Sequence, residues 1–359
     1  MELALYHPEL GYYARAAQRS GRAGDFFTSV DVGPLFGELL EGQLEELSRI
    51  LNCECQLPDF DLVEAGAGNG RLSADILRAA RQHHPAFYDA IRLHLVEASP
   101  EARAAQMATL GDVGGRLVSS GPDVPESFDG VLIANELLDA LPVHQVVMRD
   151  DGLREVYVTH DERRTPNDER LTTVEGALST PALTEYLERL DVVLEPGWRV
   201  EINLRAVDWI RHAARRLRRG FMILIDYGHA ARELYSPTHS AGTLTSFIRH
   251  TSGGPEGLPD APAWLQHPGT QDITAHVDFT SARAAAEAEG MTALGFLDQT
   301  YFLMGLVQGW NDEALARHAR ALKTLLVPGG IGSTHKVLIL GKGVGTPALR
   351  GCSFRVRVT

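Results

Sequence analysis

Apolar positions change their period along this chain, and the changes divide it into elements. Leu35, Phe36, Leu39, Leu40, Leu44, Leu47 and Leu51 recur at helical spacing, so the stretch after Gly33 predicts an amphipathic helix whose apolar face packs on a core. From Asp61 the pattern becomes a short apolar run, Leu62-Val63, ending at Glu64. Gly66-Ala67-Gly68-Asn69-Gly70 follows, and a 3.6-residue period from about Leu72 to Gln82 predicts a helix. Alternation continues through a strand of Ile91 to Val96 closing at Glu97, a helix from Pro100 to Leu110, a short strand near 116–119 and a strand from Phe128 to Ala134. Strands alternating with helices in this way predict an α/β chain whose mostly parallel sheet has helices on both faces. Ligands of such sheets gather at the carboxyl ends of the strands.

Beyond Pro142 the alternation breaks. The runs 143–148 and 153–159 flank Asp150-Asp151-Gly152, a hairpin signal, and the polar stretch 161–170 reads as a surface loop. Alternation is expected to resume at Arg199-Val200-Glu201-Ile202-Asn203, with a helix over 206–218, Gly220 as its stop, and a strand 221–225 ending in Asp226-Tyr227-Gly228. The loop-rich stretch 229–278 is a candidate lid or substrate wall. A helix over 281–289, a strand over 292–296, a helix over 313–326 and a strand over 336–340 complete the sheet, the last two strands as an antiparallel pair. The division expected is an N-terminal extension, 1–55, contributing to the cofactor site, and a main domain, 56–359, with insertions at about 143–204 and 229–278. A helical pattern already runs at Met1 without a cap, which suggests a start further upstream.

Composition narrows the partners. Lys and Arg number 34 against 47 Asp and Glu, a formal charge of −13, which repels nucleic acid and anionic membranes and suits a cationic ligand or a basic protein segment. No apolar run reaches transmembrane length and no targeting leader is evident, so a cytoplasmic chain is expected, and a homodimer remains open. Of three cysteines, Cys53 and Cys55 form a lone C-x-C, and the fourteen histidines show no metal-binding spacing, so no metal is expected.

The glycine loop after Glu64 suits a ligand approaching the main chain closely. A dinucleotide loop would carry its third glycine at the position of Arg71, and its pyrophosphate would face Glu64, a like charge. S-adenosylmethionine (SAM) carries a sulfonium and an ammonium and no phosphate. Glu64 then suits its charge, and Glu97 can accept from its ribose hydroxyls. Cofactor-binding candidates are therefore Glu64, Gly66, Gly68, Gly70 and Glu97. Asn135-Glu136-Leu137-Leu138-Asp139 follows the strand ending at Ala134 and puts an amide and two carboxylates at the same mouth; a plain helix N-terminus, capped by Asn135, is the alternative reading.

Several blocks in one order resemble the MidA family: Gly11-Tyr12-Tyr13, Gly24-Asp25-Phe26-Phe27-Thr28-Ser29, Glu64 to Gly70, Asn135 to Pro142, Asp226-Tyr227-Gly228, Gly242-Thr243-Leu244, Asp272 to Phe279 and Gln299 to Leu303. The resemblance implies a class I (Rossmann-like) SAM-dependent methyltransferase with a seven-stranded sheet. Mitochondrial members of that family methylate an arginine on a core subunit of respiratory complex I during its assembly. It adds Gly24, Asp25, Thr28 and Asn135 to the cofactor candidates. Where the family has Ser-Pro-Glu-Ile-Ser, this chain has Ser29-Val30-Asp31-Val32-Gly33, keeping the acid as Asp31. For a guanidinium acceptor, Glu136 and Asp139 are the expected catalytic pair, orienting the planar fork and localising its charge. Asp226, Tyr227 and His276 are secondary candidates as wall or base. Methylation of a small molecule and a non-catalytic SAM-binding assembly factor are the competing functions.

Overall fold

The computed structural model describes residues 1–14, 28–55, 59–160, 171–248, 251–253, 262–326 and 334–354. Gly24 and Asp25 lie outside them. Four parallel strands form one half of the main sheet: β1 (Phe60–Ala65), β2 (Ile91–Val96), β3 (Leu117–Gly121) and β4 (Phe128–Asn135). The long strand Leu217–His229 pairs in parallel with β4. Strand His335–Lys342 then runs antiparallel to it, and Thr292–Asp298 antiparallel to that in turn. Across the sheet the order is 292–298, 335–342, 217–229, β4, β1, β2, β3, with Val277–Asp278 added beside the end of 217–229. The chain order reverses at β1 and β4, which leaves a crevice at their carboxyl ends.

Alternate residues of the central strands feed two cores. Leu62 and Ile223 join the cluster under helices Leu35–Cys55 and Arg71–His83, while Val63 and Leu224 join the cluster under Leu204–Arg216 and Phe279–Glu287. All seven apolar positions that predicted the first long helix are buried. At roughly 1.5–3 kcal/mol for each large apolar side chain removed from water, that stripe fixes the helix to the sheet.

Two expectations are corrected and one helix was missed. Arg199–Ile202 does not rejoin the main sheet: it pairs antiparallel with His144–Arg149, closing a four-stranded sheet with Gly152–His160 and Leu171–Gly176. A four-residue apolar run encodes a strand but not its partner. Gly220 does not stop a helix. The helix ends at Arg216, and Gly220 lies inside the long strand at φ 137°, where a Cβ would stand 1.9 Å from the Gly130 carbonyl oxygen. The helix Gln299–Val307 was not expected from periodicity, because it is apolar on nearly every side and shows no polar face.

The N-terminal helix Glu2–Tyr6 packs away from the main cores, in a small cluster of Leu5, Tyr12, Leu244, Ile273 and Ala275. That contact joins the extension to the second insertion, whose three-stranded sheet comprises Thr245–Ile248, Thr251–Gly253 and Asp272–Thr274. Among the described residues, no helix is long and apolar enough to cross a membrane.

Candidate active site

The loop after β1 takes its shape from three glycines with positive φ, Gly66 at 71°, Gly68 at 51° and Gly70 at 82°. Gly66 and Ala67 donate their N–H groups to the Val96 carbonyl, which ties the loop to the end of β2. Glu97 holds it from the front: one carboxylate oxygen accepts from Gly68 N at 2.8 Å and the other from Ser99 N at 2.8 Å. Gln106 supports it from the side, donating to the Gly68 carbonyl at 2.9 Å and accepting from Ser120. Glu64 is buried behind the loop and accepts from the Ser73 amide at 3.1 Å and from its hydroxyl. Burial pushes the Glu64 carboxyl up to about 7, against the two Ser73 hydrogen bonds.

Arg71, which replaces a dinucleotide-type glycine, pairs with Asp31 at 2.9 Å. Asp31 in turn accepts from the backbone and hydroxyl of Thr28, both at 3.0 Å. Thr28 therefore braces the Asp31–Arg71 pair beside the loop.

The second wall is the turn after β4. Glu136 has φ 52°, a left-handed conformation that costs a non-glycine residue about 1–2 kcal/mol. It is held there by its own N–H on the Ile225 carbonyl at 2.8 Å. Its carboxylate reaches 3.5 Å from Nε2 of His335, a fully buried residue whose ring lies 3.8 Å from that of Tyr227. Asp226 organises the turn: one oxygen accepts from the amides of Leu137 (3.1 Å), Leu138 (2.7 Å) and Asp139 (3.3 Å), and the other from Tyr227 (2.8 Å). Burial raises the Asp226 carboxyl to about 7, opposed by these amides. Asp139 is 5% exposed, and burial, then Asp226, Asp272 and Glu136, push its carboxyl well above the usual range. Tyr13 donates to Asp272 at 2.9 Å and Tyr6 to the Ala140 carbonyl at 3.1 Å, so two phenols of the N-terminal extension cover this cluster.

Folding thus gathers Glu136, Asp139 and Asp226 at one strand-end site, facing the loop of Gly66, Gly68 and Gly70 through the Gly66–Leu137 contact. It gives them unequal work. Asp226 shapes the backbone, with both oxygens occupied, and is a poor general base. Burial drives the Tyr227 phenol further up, so it keeps its proton and serves as wall. His276 sits apart, beside His229 and His239, although the next residue back, Ala275, donates to the Asp139 carbonyl at 3.0 Å. Sequence reasoning gave no role to His335, Asp272, Tyr6, Tyr13 or Gln106. Tyr13 and Asp272 stood inside resembling blocks, but His335 and Gln106 had no local signal.

Three features fit SAM. Among the described residues, a Cβ on Gly68 would meet nothing within 4 Å, which leaves its backbone accessible to a ligand. The buried Asn135 Oδ1 has no hydrogen-bond partner among the described residues. Glu97 keeps lone pairs beyond those used by its two amide donors, enough for a ribose diol. Two surface cavities of about 590 and 610 Å³ border neither the glycine loop nor Asp139, so the assignment rests on these residues rather than on a void.

Comparisons with known proteins agree. Residues 39–297 match the family described as "Putative S-adenosyl-L-methionine-dependent methyltransferase". The chain is 31% identical over 331 residues to the mouse protein named "Protein arginine methyltransferase NDUFAF7, mitochondrial", covering 85% of this chain and 69% of that one. The Drosophila melanogaster homolog is 28% identical, with 96% and 80% covered. A crystal structure from Burkholderia thailandensis, bound to S-adenosyl-homocysteine, superposes with a TM-score of 0.82 at 28% identity, over 98% of this chain and 88% of that one. With the class I sheet, the glycine loop and a match over most of its length, the chain belongs to this family of SAM-dependent methyltransferases.

Proposed function

We propose that the methyl acceptor is an arginine guanidinium in a basic segment of a protein. The observation that carries this reading is the convergence of Glu136, Asp139 and Asp272 in a nearly dry mouth, where Asp139 is disfavoured as an anion by burial and by its neighbours. A cation entering that mouth relieves the repulsion, and a planar one can be held by carboxylates on two sides. The mouse relative, named a protein arginine methyltransferase, supports the same acceptor.

SAM supplies an electrophilic methyl when bound, held by the glycine loop, Glu97 and Asn135. What the chain must add is alignment of a nitrogen for in-line attack and exclusion of water. A guanidinium stays protonated in neutral water and is a poor nucleophile. Glu136, fixed by its strained backbone and backed by His335, draws the positive charge toward the nitrogens that do not attack and stands ready to accept the proton released. Asp139 faces the same space and suits the second edge of the fork. Tyr6 and Tyr13 close the mouth against water. The net charge of −13 favours approach of a basic segment.

The test is incubation of the purified chain with methyl-labelled SAM and a host protein fraction, followed by acid hydrolysis. Label recovered as methylarginine is expected. Label confined to small molecules, or to carboxyl esters lost in mild base, would overturn the acceptor while leaving the methyltransferase assignment intact.

A further inference from the structure

We infer that His229, His239 and His276 form a binding site for a divalent transition metal of borderline softness, such as zinc, apart from the active-site carboxylates. They come from three places: the end of strand Leu217–His229, the short turn Pro237–His239, and the residue preceding Val277–Asp278. The three are partly buried, and each presents a ring nitrogen so that all three ligand atoms lie within 4.8 Å of one another. The ring centroids are 4.8, 5.3 and 5.9 Å apart. Zinc bound by three imidazoles at 2.0–2.1 Å requires nitrogens about 3.3 Å apart, a closure within reach of ring rotation.

The surroundings select the tautomers such a site needs. His239 Nδ1 lies 3.0 Å from the Glu233 carbonyl, which can only accept, so that nitrogen carries the proton and Nε2 keeps its lone pair. His229 Nδ1 lies 3.0 Å from the Glu233 carboxylate, at ion-pair distance but out of hydrogen-bond alignment. Glu233 thus lies beside both imidazoles, and its carbonyl supports His239 as the acceptors behind metal-bound histidines do. His276 Nδ1 is buried without a hydrogen-bond partner among the described residues. All-imidazole ligation with an open fourth position suits zinc, copper(II) or nickel(II), and not magnesium or calcium.

A metal here would cross-link the 229–276 segment to the end of the central strand. Because Ala275 is bonded to the Asp139 carbonyl, the cross-link would also stiffen the acidic wall. The site does not depend on the identity of the methyl acceptor.

The test uses the full chain, free of any affinity tag and dialysed against chelator, titrated with zinc alone against a chromophoric competitor. A single saturable equivalent is expected, bound at least a hundredfold more weakly by His239→Ala and by His276→Ala. Cobalt(II) in place of zinc should give the visible absorption of a four- or five-coordinate nitrogen site, lost in the same variants. His239 lies in an outer turn, so that variant keeps the test open should His276→Ala not fold. The absence of a saturable equivalent in the wild type, or equal affinity in wild type and folded variants, would overturn the site.

Discussion

Glu136→Gln separates a catalytic carboxylate from a structural one. The change keeps shape and volume and removes one negative charge from a side chain that is 9% exposed. Two unit charges 4 Å apart attract by about 4 kcal/mol at the effective dielectric suited to such sites. If about 3–4 kcal/mol of that is expressed only when the guanidinium passes into the transition state, turnover falls on the order of a hundred- to a thousandfold. The cofactor contacts lie on the other wall, so SAM affinity should hold. Stability should change by about 1 kcal/mol or less, because the strained backbone at Glu136 is held by the hydrogen bond its N–H donates to the Ile225 carbonyl rather than by its charge. Single-turnover methyl transfer, SAM titration calorimetry and thermal melting on the same preparation read the three quantities. No helix directly follows β4, so the rival is a purely structural role in the turn. That role predicts the reverse pattern, a lower melting temperature with methyl transfer intact, and that result would refute the mechanism proposed here.

Gly68→Val should abolish SAM binding in a folded protein, since φ 51° resists a β-branched residue and the new side chain projects into the open ligand space; unchanged calorimetric affinity would remove the loop from the site. Glu97→Ala should weaken SAM by about 1–3 kcal/mol, through both the lost acceptor and the freed Gly68 amide, with calorimetry as the check. Glu64 gives a pH signature. Its carboxyl sits near 7 when folded against 4.5 otherwise, so the native state binds the proton more tightly. Its contribution is fully present below about pH 4.5 and is lost as pH rises through 7, on the order of 3 kcal/mol in all. Urea midpoints measured from pH 5 to 8 should therefore fall less steeply in Glu64→Gln than in the wild type, and parallel curves would show that Glu64 does not titrate in this range.

Much of the fold was legible because its signals are local. The period of Leu35 to Leu51, the strand–glycine–helix pattern around Glu64 and the acids at successive strand ends each lie within one window of chain, and each is found where that pattern implies. The same locality marked Gly66, Gly68, Gly70, Glu97 and the Glu136 turn. Sequence could not apportion the chemistry among the acids. Asp226 reads like Glu136 as a carboxylate closing a strand, and only the parallel pairing of 217–229 with β4 brings the amides of 137–139 onto it and turns it into a backbone anchor. Likewise His335 became the partner of Glu136 because an antiparallel strand was inserted beside 217–229, about 200 residues further along the chain. His229, His239 and His276 have no spacing that suggests a metal; they meet because an insertion folds back over the strand end. Sequence by itself determined most of the elements, the loop and the sign of the site's charge, since these follow from backbone propensity and local pattern. Tertiary structure alone decided which carboxylates are bonded to amides and which remain to meet a substrate, because burial and long-range pairing set hydrogen-bond partners and proton affinity.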